Sequence, residues 1–220
     1  MVLRQHFFPP VDSYSPRKSL VKPSSPRHFY PYATLTLVGL NLVMFLGELA
    51  QGGSQNLDTL QELGALDPIA IQQQGEWWRV ITANFLHYGY LHLGVNLLGL
   101  GIIGAIMERD LGAARFLCLY LGSGCGAMAL MAVYLMTLQD YNRLVVGASA
   151  GIMGLFAGLG VLYFQMWQRS PSRWTRRRLY MFGGLVIFQF ALDSQLPDVS
   201  VMSHGFGFGV GIILTLLLTR

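Results

Sequence analysis

Charge is what this sequence has least of. Only 12% of its 220 residues are charged, against 53% hydrophobic, and the mean hydropathy is +0.45. A soluble domain carries about twice that charged fraction, so the composition is that of a membrane protein. The alternating pattern of barrel strands is missing, which argues against a transmembrane β-barrel. No internal repeat stands out. No apolar segment follows the first charges, so a cleaved signal peptide is not expected. Cysteine is scarce: Cys118 and Cys125 fall on one apolar stretch. Their spacing along a helix is about 10 Å, too far for a disulfide. Glu48 is the one acid well inside a stretch and reads as structural. No acidic pair and no His-Glu-x-x-His is present, so aspartyl chemistry and a zinc site are not expected. Neither is any metal, cofactor or nucleic-acid partner.

Six apolar stretches are present, at 33–51, 85–106, 116–136, 147–168, 179–195 and 202–219. Each approaches the ~20 residues that a spanning helix needs. The expected fold is therefore an all-α membrane protein, a bundle of six transmembrane helices over 33–220. Residues 1–32 differ. They hold six prolines among serines and basic residues and read as a disordered cytoplasmic tail. With six spans and an internal N-terminus, the outer segments hold only Arg79 and Arg143 of the 15 Lys and Arg. The positive-inside rule then places both termini in the cytoplasm. Arg169, Arg173, Arg176, Arg177 and Arg178 read as a basic inner loop, 169–178, that sets topology.

This orientation runs the second, fourth and sixth stretches from outside to inside. His92 and Asn96, Ser149 and His204 then share one depth below the outer surface. Ionisable groups at bilayer depth are costly and point to function. A hydroxyl and an imidazole are the minimal parts of a nucleophile with its general base. His204, Gly207 and Gly211 share one helical stripe, and Gly147, Gly151, Gly154 and Gly158 recur at three- and four-residue spacing. Small residues at this spacing let membrane helices approach backbone to backbone. His92 and Asn96 lie about 40° apart on a helical wheel, whereas His87 lies about 140° from His92. The second separation is poor geometry for two ligands of one metal.

These motifs together resemble the rhomboid family of intramembrane serine proteases. Gly147-Ala148-Ser149 is similar to the family's nucleophile motif. His204-x-x-Gly207-x-x-x-Gly211 resembles its catalytic histidine with the glycine ladder beneath. His87-x4-His92-x3-Asn96 resembles its second-helix motif, and Trp78-Arg79 its loop pair. Three positions depart from the pattern. Met153 stands where an aromatic residue often packs on the histidine, Ser203 replaces an alanine, and Glu108-Arg109-Asp110 shifts the arginine of a Glu-x-Arg brace by one.

The resemblance implies a multi-pass integral protein of the bilayer, expected in the plasma membrane, that cuts single-span membrane proteins without a cofactor. Ser149 would be the nucleophile and His204 the general base and acid. His92, Asn96 and the Ser149 N–H would stabilise the oxyanion, with His87, Gly147, Met153, Gly207 and Gly211 in support. No carboxylate is expected beside the imidazole, which makes the pair a dyad. The site would open outward, with 179–195 as gate and 196–201 as cap. Two alternatives remain: an inactive rhomboid-like protein that binds membrane clients, and a small-molecule transporter. Retained Ser149 and His204 count against the first. The missing inverted repeat and paired acids count against the second.

Overall fold

The computed structural model describes residues 29–195 and 201–220. Most of the tail expected over 1–32, and the cap expected over 196–201 apart from its last residue, lie outside the described residues. Ten α-helices run along the described chain, and no strand longer than an isolated bridge occurs there. Five segments are long and apolar enough to cross a membrane. They are α1 (Tyr32–Ala50), the continuous Gly89–Leu111, α7 (Ala113–Leu138), α8 (Ser149–Arg169) and α10 (Val201–Leu218). Gly89–Leu111 comprises α5 (Gly89–Gly99), one π-helical turn over Leu100–Gly104, and α6 (Ala105–Leu111). The chain is an integral, multi-pass, all-α membrane protein.

The stretch expected as the fifth span, 179–195, falls in α9, Arg173–Asp193, apart from its last two residues. This helix starts inside the segment expected as a basic loop, 169–178. Ser172 Oγ accepts from the Thr175 N–H and Thr175 Oγ1 from the Ser172 N–H, a capping box that begins the helix among the arginines. Arg178 stacks 3.7 Å over the Trp174 ring, so its charge is carried on a folded helical end.

Three short helices fill the connection from α1 to α5: α2 (Leu57–Leu63), α3 (Pro68–Gln74) and α4 (Arg79–Thr82). Asn56 and Asp67 cap α2 and α3 through their side chains. Gly64 and Gly75 end those helices in the left-handed conformation. Arg79 locks this connection together. Its Nη1 donates to the carbonyls of Gln61 and Ala65, at 2.6 and 3.0 Å, and its guanidinium pairs with Glu76. Of the Trp78-Arg79 pair, Arg79 is thus an internal strut of the connection, while Trp78 is exposed.

At the other end, Glu108 accepts from the Ala33 and Thr34 N–H groups and from Thr34 Oγ1, at 3.0, 2.8 and 2.8 Å. One buried carboxylate therefore caps the free N–H groups at the start of α1. This end of the bundle is braced by Glu108 itself, while the displaced Arg109 is exposed.

Packing fixes the directions of the spans. On α10 and α8 the close approaches are Gly207 to Ala150, Gly211 to Gly154 and Thr215 to Gly158. Both numbers rise together, so these helices run parallel. On α7 and α10 the approaches are Gly122 to Leu214 and Gly126 to Val210, which is antiparallel. His92 beside Gly147 and Gly99 beside Ile152 make α5 parallel to α8. The second, fourth and sixth segments thus share one direction, as the sequence implied. Helix α8 lies between neighbours, and its glycines divide between them. Gly151 meets Tyr120 of α7, while Gly154 meets both Ser123 of α7 and Gly211 of α10. Facing Gly207 is Ala150, not a glycine.

Candidate active site

The turn before Ser149 is held from two sides. Leu66 and Val145 form an antiparallel bridge with N···O distances of 3.0 and 3.1 Å, and the Gly147 N–H donates to the Ala83 carbonyl at 2.8 Å. These bonds hang residues 145–147 on the α1–α5 connection. Gly147 then takes φ +127, a conformation that only glycine adopts without strain. Ser149 follows as the first residue of α8, where backbone N–H groups lack intrahelical partners.

Gly147 is also the point of closest approach to α5. A Cβ built on it would lie 2.8 Å from both Cε1 and Nε2 of His92, and 3.6 Å from Ser149 Oγ. The imidazole edge of His92 and the serine hydroxyl therefore flank one glycine. His92 Nδ1 accepts from the Tyr88 N–H at 3.3 Å, which leaves Nε2 as the protonated nitrogen on the Gly147 side. Asn96, buried one turn further along, donates from Nδ2 to the His92 carbonyl at 2.9 Å.

His87 precedes α5 and is not on its wheel. Gly89, at φ +83, opens the helix after it, and the His87 ring folds against His92 with centroids 5.2 Å apart at 66°. The wide separation read from a helical wheel does not apply, because residues 86–88 are not helical. His87 is wholly buried, its N–H donates to Glu48 Oε1 at 2.9 Å, and neither ring nitrogen has a partner among the described residues. Burial, and second the nearby His92 ring, pushes its pKa down to about 3, so the ring is neutral.

His204 lies in the first turn of α10, one turn before Gly207, which faces Ala150. The parallel register therefore brings His204 to the level of Gly147 and Ser149. No hydrogen bond joins Ser149 to His204 among the described residues. Such contacts are often long before substrate binds. Met153 is buried one turn along α8 from Ser149.

The expectation that no carboxylate accompanies the imidazole is corrected by Asp193. His204 Nδ1 lies 2.7 Å from Asp193 Oδ2, at the last residue of α9, and both side chains are buried. The two residues are 11 apart in sequence, across a helix end and the next helix start. Asp193 stands near the end of the apolar stretch 179–195, and nothing local marks it as a partner of the histidine. Among the described residues, no group of three or more His, Cys, Asp or Glu side chains forms a metal site.

The chain is thus a helical membrane protein with a serine at one helix start, a histidine at another and a second imidazole beside the serine. Comparison with known proteins gives the family. The Rhomboid domain matches residues 74–220, and the chain belongs to the rhomboid family. It is 31% identical over 183 residues to Rhomboid protease GluP of Bacillus subtilis, covering 83% of this chain and 31% of that protein. It is 34% identical over 161 residues to RHOMBOID-like protein 4 of Arabidopsis thaliana, covering 73% and 39%. A third relative, Rhomboid-type serine protease 2 of Emericella nidulans, is 34% identical over 157 residues, covering 71% and 29%. The chain therefore spans between 29% and 39% of the length of these relatives.

Proposed function

We propose that this protein is an intramembrane serine endopeptidase, with Ser149 as nucleophile and His204 as general base and acid. The observation that carries this is the meeting of Ser149 Oγ and the His92 Nε2 edge across Gly147, at the level of His204. Ser149 attacks the scissile carbonyl, and His204 takes its proton and returns it to the leaving amine. The oxyanion is met by the Ser149 N–H, free at the first turn of α8, and by the donor Nε2 of His92. Asn96 supports this donor from the next turn and offers its second amide hydrogen to the same anion. Met153, Gly207 and Gly211 keep α8 and α10 in register, and His87 backs the His92 ring.

The substrates are single-span membrane proteins. An intact helix keeps its carbonyls bonded, so cleavage requires local unwinding, which favours small or helix-breaking residues at the cut. Hydrolysis needs water, so the site opens to an aqueous face; the positive-inside orientation, with both termini in the cytoplasm, makes that the outer one. The plasma membrane is the proposed location, residues 179–195 the gate and 196–201 the cap.

The test is cleavage of a labelled single-span reporter by purified protein in liposomes. Cleavage that vanishes in Ser149→Ala and in His204→Ala supports the proposal. Binding of the reporter by wild type with no cleavage under any condition that keeps it folded would leave a client-binding protein instead.

A further inference from the structure

We propose that Asp193 is a positioning residue for His204, holding the imidazole by Nδ1 so that Nε2 is left bare toward Ser149. This rests on the endopeptidase function proposed above and completes it with a third member. The carboxylate is fixed on both oxygens. Oδ2 meets His204 Nδ1 at 2.7 Å, and Oδ1 accepts from Gln189 Nε2 at 2.8 Å, one turn back on α9. Asp193 is 2% exposed, so no solvent competes for either oxygen. An ionised carboxylate only accepts hydrogen bonds. The nitrogen facing it must therefore carry the proton, and in the neutral ring the other nitrogen keeps its lone pair. That nitrogen is the one a general base uses.

The contact also stabilises what forms during reaction. When His204 takes the serine proton it becomes a cation in a dry setting, where an unpaired charge is costly. Asp193 faces that cation directly and need not be protonated itself. Nothing else described on α9 supplies a charge there, since its arginines cluster at the opposite end. The same contact ties α9 to α10, next to the Phe190 and Phe208 rings with centroids 6.0 Å apart. Helix α9 otherwise packs along α8. The gate-side helix thus reaches the histidine through one side chain.

Asp193→Asn tests this in the full chain with the single-span reporter. The amide keeps the shape, but it cannot accept from Gln189 and His204 at once with both oxygens. We expect kcat to fall at least about ten-fold with KM held within about two-fold, because tautomer and charge act on the chemical step. The thermal midpoint should fall, because a buried acceptor is lost, so kcat is read on the folded protein below the transition. A kcat less than about ten-fold below wild type overturns the proposal while leaving the protease intact. An independent readout needs no variant: the 15N resonances of His204 in the wild-type protein at neutral pH. Protonated Nδ1 with bare Nε2 is expected, and protonated Nε2 overturns the proposal even if Asp193→Asn fails to fold. Absence of cleavage by wild type would count against the endopeptidase function, and the resonances would still decide the tautomer.

Discussion

Gly207 of α10 lies against the main-chain carbonyl of Ala150 on α8, with no room between them for a Cβ. This contact sets the distance between the helices that carry His204 and Ser149. Gly207→Ala should therefore splay the pair. The expected cost is about 1–3 kcal/mol of stability from overpacking. The expected loss in kcat/KM is about 10²-fold, since an ångström of misplacement is enough for that. Gly209→Ala, where a Cβ meets nothing within 4 Å, should leave both unchanged. Thermal melts and kcat/KM on the two variants check this.

Gly147→Ala should be more specific. The glycine holds φ +127, and the His92 ring occupies the place of any Cβ. A methyl group there adds backbone strain and pushes the imidazole away from the anion site. We expect kcat to fall about 10²–10³-fold, the loss typical for one oxyanion donor. The check is a kcat measurement on protein that still melts cooperatively. His92→Ala should give a loss of similar size, and the double variant should lose little more.

Glu108 operates at the opposite end of the fold. Its carboxylate takes three hydrogen bonds from Ala33 and Thr34. Glu108→Gln replaces one acceptor oxygen with a donor facing donors. A loss of about 1–3 kcal/mol is expected for the buried group left unsatisfied. Turnover by the folded fraction should be unchanged, because the brace is remote from Ser149. Unfolding midpoints compared with initial rates below the transition separate the two.

His87 gives a pH signature. Its pKa drops from 6.5 in the unfolded chain to about 3 when folded, through burial. The unfolded state then binds the extra proton between those values, so stability falls as pH drops from about 6.5 toward 3. Its neighbours are the His92 ring and Glu48, which accepts its N–H. His87→Phe keeps a ring in the same space and removes the titrating group. The thermal midpoint of this variant should fall less than that of wild type between pH 7 and about pH 4. Equal falls would contradict it.

Much of this site is legible in the sequence because depth is a sequence property in a membrane. Counting spans aligned His92, Ser149 and His204, and the parallel packing of α5, α8 and α10 agrees. The spacing of Gly207 and Gly211 showed which face of α10 is packed. What was hidden depends on relations across helix ends. Asp193 meets His204 because the last residue of α9 lies beside the first turn of α10, which no periodicity records. His87 reads as turned away from His92 only when a helical wheel is extended two residues before the start of α5 at Gly89. The start of α9 was hidden by its arginines, since a capping box outweighs hydropathy at a helix end. Ala150, the true partner of Gly207, gave no signal among so many glycines.

The central claim is that Ser149 is a nucleophile activated by His204. The most direct measurement is intact and peptide mass spectrometry of the folded protein after exposure to a fluorophosphonate. A single adduct on Ser149 is predicted, absent in Ser149→Ala and strongly slowed in His204→Ala. An adduct on another residue, or labelling of Ser149 at the same rate in His204→Ala, would contradict it.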